Sequence, residues 1–123
     1  MERPINFTDL VVWKEGHKLV LLIYEAVRVF PKEEIYGITS QIKRSAISIT
    51  SNVAEGFGRK SWPDKVRFYY TGRGSLTELH NQLIISKDLK FMSDLVYNNI
   101  LNQVEIVHRL LNGLITKSSE RLK

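Results

Sequence analysis

The stretch SDLVYNNILNQVEIVHRLLNGLI, residues 93–115, decides the fold class. Tyr97, Ile100, Val104, Val107, Leu111 and Leu114 recur in steps of three and four. That spacing lays them along one line of an α-helix, the seam by which it packs on its neighbours. Leu101, His108 and Ile115, seven apart, widen the face. Ser93 is a capping residue, and Asp94 complements the positive end of the helix dipole. The pattern predicts a helix over about 93–117, with a polar tail that frays from Lys117.

Working toward the N-terminus, the same rhythm recurs three times. Ser61, Pro63 and Asp64 open a helix over about 62–89, with Val66, Tyr69, Leu76, Leu79 and Leu83 inward. Gly72 and Gly74 lie inside it. Each costs roughly 1 kcal/mol relative to alanine, so a close approach to the backbone is expected there. A helix over about 35–57 carries the apolar line Ile35, Ile38, Ile42, Ile49, Val53 and Phe57 and ends at Gly56 and Gly58. The first helix, over about 8–30, has the line Leu10, Trp13, His17, Val20, Tyr24 and Val27. Leu19, Leu22, Ala26 and Val29 form a second line beside it, and Pro31 ends the helix. Two lines imply contacts on more than one side. No strand pattern competes. Four helices with short connections form an all-α, antiparallel up-down-up-down four-helix bundle, one domain over residues 1–123.

Composition narrows the function. Apolar residues are 43% and charged residues 25% of the 123, which suits a folded core rather than disorder. There is no cysteine, hence no disulfide framework and no cysteine-ligated metal. Met1-Glu2-Arg3-Pro4 has an acid and no apolar run behind it, unlike a secretory leader. The most apolar run, Leu19 to Ile23, is far below the roughly 20 residues of a membrane span. A soluble cytoplasmic protein is expected. The net charge is +5, and all of it falls between Lys43 and Arg73. There Lys43, Arg44, Arg59, Lys60, Lys65, Arg67 and Arg73 face only Glu55 and Asp64. The remaining chain holds eleven residues of each sign. Such a concentration points to an anionic partner, nucleic acid foremost, against the plainer reading of charge kept for solubility.

No catalytic or metal-binding pattern is present. His17, His80 and His108 fall on three helices, without an HExxH or a histidine pair four apart. The single Glu-x-x-His, Glu105 to His108, lacks the second copy that a di-iron bundle needs, and there is no GxSxG and no P-loop. Neither an enzyme nor a cofactor is expected.

Two stretches stand out. Gln41, Ser45, Ser48, Asn52, Glu55 and Arg59 form a polar line on the second helix. It is built of small hydroxyls and amides, poor helix formers, where a solvated face uses Lys and Glu. If the second and third helices turn back about Lys60, facing positions sum to roughly 120. Ser48 then meets Arg73, and Arg44 meets Glu78. A structural polar network of Arg44, Ser48, Asn52, Glu55, Arg73 and Glu78 is expected, in which Glu78→Ala strands a buried base at roughly 3–5 kcal/mol. The second stretch, Arg59 to Tyr70, is basic and aromatic. Arg59, Lys60, Trp62, Lys65 and Arg67 are the candidate nucleic-acid contacts. Trp62 either stacks on a base or plugs the turn between helices.

The runs Phe7-x-x-Leu10-x-x-Trp13, Phe30-Pro31-x-x-Glu34-x-Tyr36-Gly37-x-Thr39-x-Gln41, Arg44-Ser45-x-x-Ser48-x-x-x-Asn52-Val53-Ala54-Glu55-Gly56-x-Gly58-Arg59 and Arg73-Gly74-Ser75-Leu76-x-Glu78 resemble the bacterial four-helix bundle family encoded by intervening sequences of 23S ribosomal RNA genes, also labelled S23 ribosomal protein. The resemblance covers residues 7 to about 90, and the fourth helix is similar in pattern only. Gly72 and Val53 depart from the family's usual alanine and isoleucine. The resemblance implies a homopentameric ring. Through related accessory variability determinant proteins of diversity-generating retroelements, it also implies affinity for RNA or DNA and for a reverse transcriptase. The alternative is a protein–protein scaffold without nucleic-acid binding.

Overall fold

Four helices turn back on one another in a computed structural model that describes residues 3–123: α1 (Val11–Ala26), α2 (Ile38–Gly58), α3 (Trp62–Asp88) and α4 (Asp94–Ser119). Each packs on its chain neighbours, and α4 closes the bundle against α1. Short 3-10 turns at Phe7–Asp9, Val27–Val29, Lys32–Glu34 and Glu120–Leu122 flank the helices. No strand occurs among the described residues. Ile23, Ile42, Ile49, Leu79, Leu83, Ile100 and Val107 are almost wholly buried along the axis. A second cluster of Val12, Val53, Tyr69, Leu111 and Ile115 fills the end where α2 and α4 finish and α3 begins.

The sequence places α3 and α4 within a residue or two at their starts, because their caps are explicit. The Ser61 hydroxyl accepts from the Asp64 N–H and the Ser93 hydroxyl from the Val96 N–H. The tail differs from expectation. Instead of fraying at Lys117, α4 runs to Ser119 and a 3-10 turn follows, with Ile115 and Ser118 buried.

The first helix also differs. The stretch over 8–30 is broken at both ends. Asn6 caps the turn Phe7–Asp9, and the Asp9 carboxylate accepts the Ile5 and Asn6 N–H groups at 3.1 and 3.0 Å. Leu10 is extended, and α1 starts only at Val11. At the other end the coil tightens to 3-10, and Phe30 is extended ahead of Pro31. The inward line is Val12, Gly16, Leu19, Ile23 and Val27, not the line from Leu10 to Val27. His17 and Tyr24 are exposed. Gly16 explains the rotation. A methyl there would lie 2.9 Å from Thr50 Cγ2, so α2 approaches most closely over that glycine. Ile35 and Tyr36 likewise precede α2 and are exposed, Tyr36 to 95%.

The α2–α3 pairing is offset by most of a helical turn from the symmetrical one. Ser48 meets Ser75 at 2.8 Å, and Ser45 donates to Glu78 Oε1 at 3.1 Å. The connection explains this: Arg59 and Ser61 are both extended, so the chain crosses between helices before α3 begins. Of the two mid-helix glycines, only Gly72 marks a close approach. Its added Cβ would stand 3.3 Å from Asn52 Cβ and 3.5 Å from the Ile49 carbonyl oxygen. Gly74 faces open space. Gly74→Ala therefore gains helix propensity without a clash, and is expected to raise unfolding free energy by roughly 0.5–1 kcal/mol in a denaturant titration.

Candidate nucleic-acid interface

The polar line of α2 does lie against α3, but with different partners from those the sequence implied. The Asn52 amide donates to the Ser48 carbonyl at 2.8 Å and to its hydroxyl at 3.1 Å. Ser48 in turn meets Ser75, which lies 3.3 Å from the Thr71 carbonyl oxygen. Arg73 leaves this set. Its guanidinium turns to α4, donates to Asn112 Oδ1 at 3.0 Å and lies over the Tyr70 ring at 4.7 Å. Glu55 leaves it too, as an exposed partner of Arg59 at 3.3 Å. Arg44 is exposed and lines an open polar groove of about 330 Å³ with Gln41, Ser45, Ser48 and Glu78. Among the described residues neither Arg44 nor Arg73 comes within ion-pair distance of Glu78. The reason is the offset register: Glu78 meets the Ser45 hydroxyl rather than a guanidinium. Glu78→Ala then removes one partly exposed hydrogen bond. The expected loss in a thermal or urea melt is about 1 kcal/mol, not the 3–5 of a broken buried ion pair.

The basic stretch divides in two. On the outer side of the turn, Arg59 and Arg67 both lie over the Phe68 ring, at 4.5 and 4.8 Å. Their carboxylate neighbours, Glu55 and Asp64, are 3.3 and 3.6 Å away and exposed, contacts that hold guanidinium groups loosely in water. Lys60 is exposed at the tip. These three bases face solvent together.

Lys65 behaves differently from the solvent-facing ligand contact expected of it. Its ammonium donates to the Phe57 carbonyl at 2.6 Å and approaches that of Gly56 at 3.5 Å. It thereby caps the C-terminus of α2, where orphan carbonyls and the negative end of the dipole favour a cation. Partial burial holds its pKa below the usual lysine value. Trp62 is 36% exposed, with Lys65 and Arg121 over its ring at 5.6 and 5.2 Å. Arg121 and Lys117, at the C-terminal end of the chain, were not anticipated. The up-down topology returns the end of α4 beside the start of α3, and only the charge of Lys117, Arg121 and Lys123 hinted at it.

The histidines do not form a metal centre. His17 stacks on Trp13 at 4.9 Å. His80 and His108 line one shallow recess with Glu105, and among the described residues no group of three acids or histidines could hold a metal ion. No helix there is long and apolar enough to cross a membrane.

A sequence model of the 23S rRNA-intervening sequence proteins matches residues 8–113. The chain belongs to that family. The match extends through most of α4, beyond the region where specific motifs were legible. A protein of unknown function from the S23 ribosomal protein family of Bacteroides thetaiotaomicron has a similar solved structure, with a TM-score of 0.80 at 20% identity. The alignment covers 86% of this chain and 96% of that one, and it shows the shared fold. Comparison with curated proteins finds no match. The residues that carry the resemblance sort by place: Ser45, Ser48, Asn52, Ser75 and Glu78 build the α2–α3 seam, Gly56 its tightest point, and Arg59 begins the basic end.

Proposed function

We propose that this protein binds RNA or DNA through its basic end, without catalysis, and acts as a homo-oligomer. The observation that carries the reading is the gathering of Arg59, Lys60, Arg67, Lys117 and Arg121 from three separate segments at one end of the bundle. Aromatic rings lie among them, Phe68 under two guanidinium groups and Trp62 under a third. Phosphates pair with such bases whatever the sequence, and exposed rings and guanidinium planes accept bases. The opposite end favours self-association. Val29, Leu95 and Tyr36 are 78%, 81% and 95% exposed there, apolar area that a second copy covers. A closed ring, which the family resemblance implies to be five-fold, would repeat the basic end about one axis and raise avidity for a strand.

The test is fluorescence anisotropy with unspecific RNA and DNA over a salt series, with light scattering on the same sample. The expected result is an oligomer well above the 14.3 kDa of one chain. Its affinity should fall linearly with salt on logarithmic axes. Arg59→Glu with Lys60→Glu should remove binding and keep the oligomer. An intact oligomer that ignores strands at low salt, or a reversed variant that binds as well as the parent, favours the protein-scaffold reading, including an accessory role beside a reverse transcriptase.

A further inference from the structure

Inside the basic end lies a recess of about 350 Å³ that Arg59 and Arg67 do not line. Its wall is built by Phe57, Trp62, Tyr69 and Leu114, from the end of α2, the start of α3 and the end of α4, with Pro4 and Leu10 of the N-terminal segment. Three cations border it, Lys65, Lys117 and Arg121, and among the described residues no carboxylate does. Ser118, almost wholly buried, also lines it. We propose that this recess holds one nucleotide, its base against the aromatic wall and its phosphate between Lys117 and Arg121.

Three features carry the assignment. The size suits one small molecule, at the low end of ordinary ligand sites, and excludes a passing strand. The wall is aromatic and apolar, which a free phosphate or other small inorganic anion leaves unused. Among the described residues every charged group at the rim is a cation, which a neutral ring leaves unused. A nucleotide offers both a flat π-face and a phosphate. Two of the cations have other work: Lys65 holds the end of α2, and Arg121 covers the Trp62 ring. An entering base takes the face of Trp62, and the Arg121 guanidinium turns to the phosphate. One cation–π contact is exchanged for a stack and a charge-assisted hydrogen bond. The Ser118 hydroxyl and the Tyr69 phenol can bond polar edges of the base.

The proposal rests on the reading above in taking a nucleotide as the ligand. That nucleotide is either one of a bound strand or a free one, and the experiment separates the two. The chain has two tryptophans, so the full-length oligomer labelled with 5-fluorotryptophan gives one 19F resonance for Trp13 and one for Trp62. AMP and UMP should each shift the Trp62 resonance saturably and leave Trp13 unmoved. Adenosine and inorganic phosphate should each bind at least tenfold more weakly. Lys117→Glu with Arg121→Glu, both at exposed positions, should weaken AMP at least tenfold. Arg59→Glu with Lys60→Glu should keep AMP binding. No Trp62 shift at 10 mM AMP, phosphate acting as well as AMP, or unchanged AMP affinity in the Lys117/Arg121 variant each overturns the proposal. A strand that moves Trp62 as AMP does identifies the nucleotide as one of the strand. AMP binding by an oligomer that ignores strands supports the recess with a free nucleotide and removes the strand reading alone.

Discussion

Gly56→Val is expected to cost about 3 kcal/mol of unfolding free energy, enough to consume a large part of the stability of a domain this size. A Cβ on Gly56 would stand 2.6 Å from Tyr69 Cε1, 2.9 Å from Cδ1 and 3.1 Å from the Lys65 carbonyl oxygen. The neighbours cannot yield cheaply. Tyr69 is 2% exposed in the cluster with Val53 and Leu111, and the carbonyl is backbone of α3. A valine adds two further carbons to the same contact. Against this, replacing glycine inside a helix returns less than about 1 kcal/mol of propensity. The clash wins, and its relief must separate α2 from α3 at the point where Lys65 caps α2. A denaturant titration that places Gly56→Val within 1 kcal/mol of the parent would show that the helices part easily there.

The same glycine shows what the sequence made legible and what it did not. The number of helices and the starts of α3 and α4 follow from local chemistry, a cap residue and a 3,4 spacing, and local chemistry is written in consecutive residues. The facing of α1 is not local. Two apolar lines run along it, and the core uses a third direction between them, chosen by Gly16 against Thr50 on another helix. Small residues in α2 and α3 signalled a close seam. The register of that seam depended on extended residues at Arg59 and Ser61, which no periodicity reports.

The candidate site divides in the same way. Arg59, Lys60 and Arg67 are visible because they crowd one stretch of sequence. The recess behind them is invisible there, because Phe57, Trp62 and Leu114 come together only after the chain has folded back twice. Lys65 illustrates the limit of reading charge from composition. It counts toward the basic patch, yet its ammonium holds helix carbonyls at the end of α2.

Raising the pH should test the buried end of the bundle from a different direction. Burial pushes the Tyr69 phenol up to about 12, while the unfolded chain ionises near 10. Below pH 10 both states hold the proton, so this group gives stability no pH dependence. Between pH 10 and about 12 the unfolded chain loses the proton and the folded chain keeps it. Stability must therefore fall through that window, at up to roughly 1.4 kcal/mol per pH unit and about 3 kcal/mol in all. Lysine and arginine titrations also contribute there, but they are common to the parent and to Tyr69→Phe. The difference between the two proteins isolates the phenol. The gap in unfolding free energy should be constant from pH 7 to 9.5 and then shift in favour of Tyr69→Phe as pH rises toward 11.5. A gap that stays flat across the whole range would mean that hydroxide reaches Tyr69 in the folded bundle, and that the wall it shares with Trp62 and Leu114 opens far more readily than its burial implies.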